Sequence, residues 1–492
     1  MSPTFIGMAA IVLALIPVSV TIIYSVKKIE KEGFTCITTA LLIMILFYII
    51  VPIGVIASKA DINTQNAINT LLVSGQFEDL CITILLCSGM ISLFLISYLI
   101  KFRNGVLLFN NNVLDKNVIS PRDWEKVNLG SRKVVSIIAD ASLIFGAVSM
   151  LIVITSVGGI KAYLVLGNVA RGIDKDVEAY ISSSKLLFIT LSGVILASPY
   201  LYRYLSLSDN KSIWNKIKFF VSLALSILYL LYNQGRLPIL LFFVPFILNL
   251  KSTRKAKIST LILLTVGSIL LLEPMNYLFK YLMNRRVTEI TYSGIWDVFF
   301  LEFSYPFTNV MNRSRLVEFF GFRSGLDYIQ WPLTLIPSSA LKVFGIDKKM
   351  IQWIGELNTE SYYQLTGIKK GGVPTDFFTF NYYQFGIFSM LLSIPFFAGI
   401  LRAIDKRILY LKSNEATQIL ALRLCFLLVS MVNNFDIGVI FRTRSDFIIL
   451  SIVMFYLMEK GMKIAEAEQK ESVPANELPM NPNPKLVWSK VK

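Results

Sequence analysis

The stretch FFVSLALSILYLLYNQGRLPILLFFVPFILNL (219–250) decides the fold. It is apolar almost throughout and has a polar centre, Asn233-Gln234-Gly235-Arg236. A membrane helix takes about 20 apolar residues, so this run of 32 is too long for one crossing and short for two. Gly235 at its midpoint, with Pro238 three residues on, predicts a tight turn between two antiparallel spans. The turn falls at or somewhat below a membrane surface. An arginine there costs about 2.5–3.5 kcal/mol near mid-membrane, so Arg236 is expected to face a polar cavity or an anion.

Outward from this hairpin, the same criterion gives eleven candidate spans: Phe5–Tyr24, Cys36–Ser58, Leu80–Ile100, Val134–Val157, Leu186–Leu205, Phe219–Tyr232, Leu237–Leu250, Ile258–Leu272, Phe380–Ile400, Ile419–Val432 and Val439–Leu457. Apolar residues make up 54% of the chain and charged residues 16%, with a mean hydropathy of +0.61. A soluble domain carries about 25% charged residues. The expected fold is therefore an all-α polytopic integral membrane protein of about eleven transmembrane helices. Its one long non-cytoplasmic loop should contain short helices. Phe5–Ile23 lacks a basic leader and a small-residue cleavage signature, so it reads as a retained span. The expected organisation is a first membrane block (1–272, about eight spans), a large outside loop (273–379), three last spans (380–458) and a polar, disordered tail (459–492).

Charge orients the chain. With the N-terminus outside, the cytoplasmic connections hold 28 Lys and Arg and the short outside loops hold eight. The long loop holds eleven more, but loops beyond roughly 60 residues escape the positive-inside rule. The N-terminus is therefore expected outside and the C-terminus in the cytoplasm.

Composition also excludes several functions. The net charge of +16 comes without a basic face, zinc-finger spacing or RNA-binding aromatics, so no nucleic-acid partner is expected. The chain has no histidine, which removes serine–histidine triads, histidine-dependent acyl transfer, histidine-based lipid phosphatases and His-ligated zinc. Cys36, Cys81, Cys87 and Cys425 lack CxxC spacing and read as packing residues. No 20–50-residue repeat and no pair of similar halves is visible.

Three regions carry chemistry. The first is the Gly235-Arg236 turn. The second is Asn433-Asn434-Phe435-Asp436-Ile437-Gly438-Val439-Ile440-Phe441-Arg442-Thr443-Arg444-Ser445-Asp446. A helix starting at Val439 would place Arg442 and Asp446 on one face as an i,i+4 pair, with Arg444 pointing elsewhere. Guanidinium forks and a helix N-terminus both suit phosphate oxygens. The third is the long loop, with Arg285, Arg286, Arg313, Arg315 and Arg323 among Trp296, Asp297, Glu302, Tyr305 and Trp331. Its segment 328–337 is apolar enough to lie on the membrane. It ends in Lys369-Lys370-Gly371-Gly372-Val373-Pro374-Thr375-Asp376, a glycine turn whose backbone amides could face an anion. Asp174 and Asp176 form a weak acidic pair that would suit a metal-using glycosyltransferase. No metal or cofactor is otherwise expected.

Together these features resemble the O-antigen and oligosaccharide repeat-unit polymerases of the Wzy type. The resemblance rests on the number of spans, Gly235-Arg236, Ile336-Pro337, Gly371-Gly372 with Pro374-Thr375, the aromatic-Gly stretch Asn381-Tyr382-Tyr383-Gln384-Phe385-Gly386, and Arg442 with Arg444. It covers most of the chain from Val134 onward. It implies a metal-independent glycosyltransferase at the outer face of a bacterial inner membrane. Such an enzyme joins undecaprenyl-diphosphate-linked oligosaccharides into O-antigen, capsule or similar polysaccharide. Its neighbours would be membrane lipids and, by family likeness, a flippase and a chain-length regulator. On this reading Arg236, Arg442 and Arg444 grip diphosphate, and Glu302, Asp376 or Asp446 is the base. Gly235, Arg285, Arg286, Arg313, Arg315, Gly371, Gly372, Pro374 and Thr375 contact substrate. The related ligases use a histidine in their long loop, which this chain lacks. A flippase of the same lipid-linked unit and a polyprenyl-phosphate-sugar glycosyltransferase are the alternatives.

Overall fold

The computed structural model describes residues 5–57, 67–100, 121–170, 183–209, 212–233, 235–250, 303–336, 338–346, 351–368, 372–411, 414–438 and 444–472, with isolated positions between 267 and 299. Every regular element among them is helical. In chain order these are α1 (Phe5–Glu32), α2 (Cys36–Ile45), α3 (Val51–Ala57), α4 (Ala67–Ser74), α5 (Phe77–Leu99), α6 (Pro121–Ser156), α7 (Ile160–Ala170), α8 (Ser183–Ser192), α9 (Ser198–Ser208), α10 (Ile213–Asn233) and α11 (Arg236–Leu250). They continue with α12 (Tyr305–Phe320), α13 (Leu326–Leu335), α14 (Ser338–Val343), α15 (Ile354–Thr366), α16 (Phe377–Phe385), α17 (Ile387–Leu411), α18 (Glu415–Asn433) and α19 (Ser445–Ser472). Seven helical stretches among the described residues are long and apolar enough to cross a membrane. The chain is an all-α polytopic membrane protein.

The spans are arranged around α18, whose apolar window is 83% buried, against 22% for α10 at the rim. Where a helix end is buried, the chain supplies its own partners. Thr35 and Thr38 form a reciprocal cap at the start of α2. Asp405 of α17 accepts the amides of Cys36 at 2.6 Å and Ile37 at 3.1 Å. These are donors that no helical carbonyl can satisfy. All four cysteines are buried thiols, as packing residues should be.

Local irregularities have sequence causes. Between α2 and α3 the chain widens into a π-turn, Leu46–Ile50, immediately before Pro52. A proline has no N–H for the carbonyl four residues back, and the wider turn absorbs that mismatch. Between α8 and α9 the chain tightens into a 3-10 segment, Gly193–Ala197. One face of this segment is pressed against Gly146 of α6. A Cβ on Gly146 would lie 2.8 Å from Ile195 Cβ and 2.9 Å from its amide nitrogen.

One expected span is corrected. Phe380–Ile400 is not one helix, because Gly386 breaks it with φ 72° and ψ −151°. That backbone conformation favours glycine. The part before the break, α16, belongs to a compact layer with α12, α15 and α4. Only α17 continues as a span. Hydropathy averages across the break and cannot register it.

Candidate functional site

Arg423 and Asp446 organise the centre of the bundle. Arg423 donates to Asp446 Oδ2 through Nε at 3.0 Å and Nη2 at 2.6 Å, and both side chains are fully buried. Its Nη1 donates to the Leu241 carbonyl at 2.8 Å. Pro245, four residues further along α11, cannot satisfy that carbonyl, so the arginine completes a helix that the proline interrupts. The guanidinium also lies 5.2 Å from the Tyr200 ring and 5.5 Å from the Phe242 ring. Among the described residues the partner of Asp446 comes from another helix; Arg442, expected on the same face, lies outside them.

The pairing sets a depth. Arg423 lies eight residues from Glu415 and ten from Asn433 along α18. At about 1.5 Å per residue, that is near the middle of the helix. Asp446 is the second residue of α19, so the last helix begins near mid-bundle rather than at its surface. The helix was expected to start at Val439; it starts at Ser445, which leaves Arg444 just ahead of its first turn.

Arg444 therefore points from a helix start deep within the protein. Its electrostatic neighbours are Arg423, Asp446 and Tyr229. Its guanidinium has no hydrogen-bond or ion-pair partner among the described residues. Around it, Asp446 Oδ1 and the Ser445 hydroxyl are buried without hydrogen bonds. Tyr229, one turn before the end of α10, brings its phenol to the same place. A Cβ on Gly193 would meet the Tyr229 oxygen at 2.8 Å and Ser445 Oγ at 3.1 Å. The helix that leads into the Gly235 turn and the segment that carries Arg444 thus share one site. Gly235 is buried, and α11 starts at Arg236, whose side chain lies outside the described residues.

A second centre lies at Asp376. Its carboxylate caps α16, accepting from the amides of Phe378 at 3.0 Å and Thr379 at 3.2 Å. Tyr48 donates at 2.6 Å from the π-turn, and Asn309 Nδ2 at 3.1 Å from α12. Burial pushes this carboxyl above the usual range, and the hydrogen bonds it accepts pull the other way. Asn309 Oδ1 accepts from Tyr362 at 2.8 Å and Asn358 at 3.3 Å. Asn358 Oδ1 accepts from Tyr383 at 2.6 Å. This network joins α12, α15 and α16 of the outer layer to the π-turn of the α2–α3 span and occupies the lone pairs a base would need.

The two centres are tied through the backbone. Phe435 N–H donates to the Thr375 carbonyl at 2.9 Å. Tyr305 of α12 donates to the Asn433 carbonyl and accepts from its amide, each at 2.8 Å. The Phe435 ring packs against Phe377, Phe380 and Phe397.

Other expected contacts are placed as follows. Arg313 donates to the Val310 carbonyl at 2.6 Å and lies over the Tyr382 ring, 5.4 Å from its centroid. Arg315 is exposed, 3.5 Å from Asn312 Oδ1. Arg323 is spent in an ion pair with Asp327 at 3.1 Å. Residues 328–335 belong to helix α13, where burial and Asp327 push the Tyr328 phenol up to about 12. In the glycine turn, Val373 N–H donates to Thr359 Oγ1 at 2.9 Å, and Lys369 and Lys370 lie outside the described residues. Asn309 Nδ2 holds the Pro374 carbonyl at 2.9 Å, Thr375 is buried, and Gly372 is exposed. Glu302, Arg285, Arg286, Arg442 and Gly371 lie outside the described residues, as do Trp296, Asp297, Asp174, Asp176 and Pro337.

No family model matches the chain, and neither a curated protein nor a solved structure matches it. The residues that sequence reasoning missed are Arg423, Tyr229, Tyr163, Tyr232 and Gly193. Arg423 carried a readable signal, an ionisable residue between apolar neighbours in a span. The others looked like ordinary packing residues.

Proposed function

We propose that this protein polymerises lipid-linked oligosaccharide repeat units at the outer face of a bacterial inner membrane. The single observation that carries the reading is the Arg444 guanidinium near mid-bundle, without an ion-pair partner among the described residues and beside an unpartnered oxygen of Asp446. A cation at that depth is costly unless it meets an anion. A lipid-linked diphosphate brings an anion to a membrane protein without leaving the membrane. The order of the Gly235-Arg236, Pro374-Thr375 and Arg444 motifs, which resembles the repeat-unit polymerases, supports the same reading.

In this reaction the bond between the anomeric carbon and the diphosphate oxygen breaks, and the electron pair leaves with the diphosphate. Arg444 stabilises the charge that develops there, as preorganised cations do for a leaving group. The acceptor hydroxyl forms the new glycosidic bond and gives its proton to Asp446 Oδ1. Asp446 suits this role better than Asp376, whose oxygens already accept hydrogen bonds from two amides, Tyr48 and Asn309. Arg236 and Arg442 join the proposal by sequence position. The first begins α11 beside the buried Gly235, and the second precedes Arg444 by two residues.

The test is the glycan ladder of a strain lacking this chain. Single capped repeat units without a ladder, restored by the wild-type gene but not by Arg444→Ala, support polymerisation. Loss of all surface glycan, with lipid-linked units held on the cytoplasmic face, would indicate a flippase and sink this reading.

A further inference from the structure

Next to Tyr229, a neighbour of Arg444, lies a cluster of tyrosine rings and a serine hydroxyl. The Tyr163 and Tyr232 rings stack 4.5 Å apart at 15°, and Tyr229 lies 6.1 Å from Tyr232. Tyr232 is only 1% exposed, yet its phenol makes no hydrogen bond, and the buried Ser445 hydroxyl makes none either, whereas Tyr163 has Ser192 and Tyr229 has Asn233 as a side-chain partner. Leaving one buried hydroxyl unsatisfied costs about 1–3 kcal/mol. Two close to Tyr229, with Asp446 Oδ1 also without a hydrogen bond, mark a site that takes its partners from a ligand or from water.

The local chain packs closely on this place. Gly193 sits where any Cβ would fall within 3.1 Å of both the Tyr229 oxygen and Ser445 Oγ. The 3-10 segment it begins lies against α19 and α10. A larger residue at 193 would displace both hydroxyls.

The mixture of groups selects the ligand. Arg444 only donates, an ionised Asp446 only accepts, and tyrosine and serine hydroxyls do both. A bare phosphate offers acceptors alone and would be repelled at Asp446 Oδ1. A sugar ring offers donors and acceptors together. A ligand with phosphate at one end and hydroxyls next to it satisfies every group in the row, and that is a glycosyl phosphate.

We propose that Tyr229 and Ser445, backed by the stacked pair Tyr163 and Tyr232, bind the hydroxyls of the sugar bonded to the lipid diphosphate. This rests on the polymerase reading and adds to it a division of labour. Arg444 binds diphosphate whether or not it carries a sugar; the hydroxyl row tells the glycosylated lipid from the bare one. Gly193 is a positioning residue that lets both hydroxyls stand where they do.

The experiment measures affinity on the full chain in nanodiscs. One probe is the lipid-linked oligosaccharide extracted from cells lacking this chain; the other is undecaprenyl diphosphate. Wild type should bind the first at least about tenfold tighter, the worth of one to two neutral hydrogen bonds. Tyr229→Phe and Ser445→Ala should each reduce that preference roughly threefold to tenfold. Both should keep wild-type affinity for undecaprenyl diphosphate and a wild-type melting temperature, whereas Arg444→Ala should weaken both probes. Equal affinities in wild type, or a full preference retained in both hydroxyl variants, would mean that water satisfies the row, and would overturn this inference alone. Failure of wild type to bind either prenyl diphosphate would overturn the polymerase reading and this inference with it.

Discussion

Arg423 Nη2 lies 2.6 Å from Asp446 Oδ2, and neither side chain reaches solvent. The same guanidinium bonds the Leu241 carbonyl that Pro245 leaves without a helical donor. One side chain therefore joins α11, α18 and the start of α19. Removing one partner of such a pair strands a charge and costs about 3–5 kcal/mol, whereas an apolar pair of similar volume is often tolerated.

Arg423→Ala should melt well below wild type. The double variant Arg423→Met with Asp446→Leu should recover most of that stability and still fail to polymerise. The four buried thiols make a maleimide dye a direct reporter of unfolding. Normal activity in the double variant would remove Asp446 from the chemistry.

Asp376 is expected to matter for architecture. Asp376→Ala removes a helix cap worth about 1 kcal/mol and strands the Tyr48 phenol at about 1–3 kcal/mol more. Asp376→Asn keeps an acceptor and should lose less. Activity in both variants should follow the folded fraction at the assay temperature. A stable Asp376→Asn protein with activity reduced by orders of magnitude would make Asp376 the base after all.

The two glycines on either side of the 3-10 segment should behave differently. Gly146→Ala forces a methyl against the Ile195 backbone and should destabilise by about 1–3 kcal/mol, as overpacking does. Gly193→Ala meets the ends of two polar side chains, which can turn away, so it should fold and lose activity. Thermal melts and glycan ladders of the two variants separate these effects.

Arg444→Lys keeps a charge and loses the planar fork, so it should retain little activity at a bidentate site. Polymerisation should survive EDTA if arginines alone stabilise the leaving group. A chelator-sensitive ladder restored by divalent metal would favour the glycosyltransferase reading that rests on Asp174 and Asp176.

Much of the membrane architecture was legible in the sequence, because hydrophobic run length reports directly on helices that cross a bilayer. The Gly235 turn was legible too, since glycine and a nearby proline are local signals. Run length misled at Phe380–Ile400, where a single left-handed glycine ends a helix inside an apolar stretch. In the candidate site, Arg444 and Asp446 stood out as charges beside a span. Their surroundings did not. The Arg423–Asp446 pair joins residues 23 apart, and Gly193 meets Tyr229 and Ser445 from two other helices. Such meetings depend on how helices pack, which no local pattern encodes. The role of Asp376 was hard to read for a related reason: an acid before an aromatic run fits a helix cap as well as a base, and only its partners tell the two apart.

The 3-10 segment 193–197 acts as a shim. Gly146 on one side and Gly193 on the other already admit nothing larger than hydrogen. A wall packed that closely has no slack to open by sliding toward either neighbour. Any motion that lets a ligand reach Arg444 must then come from elements other than this wall.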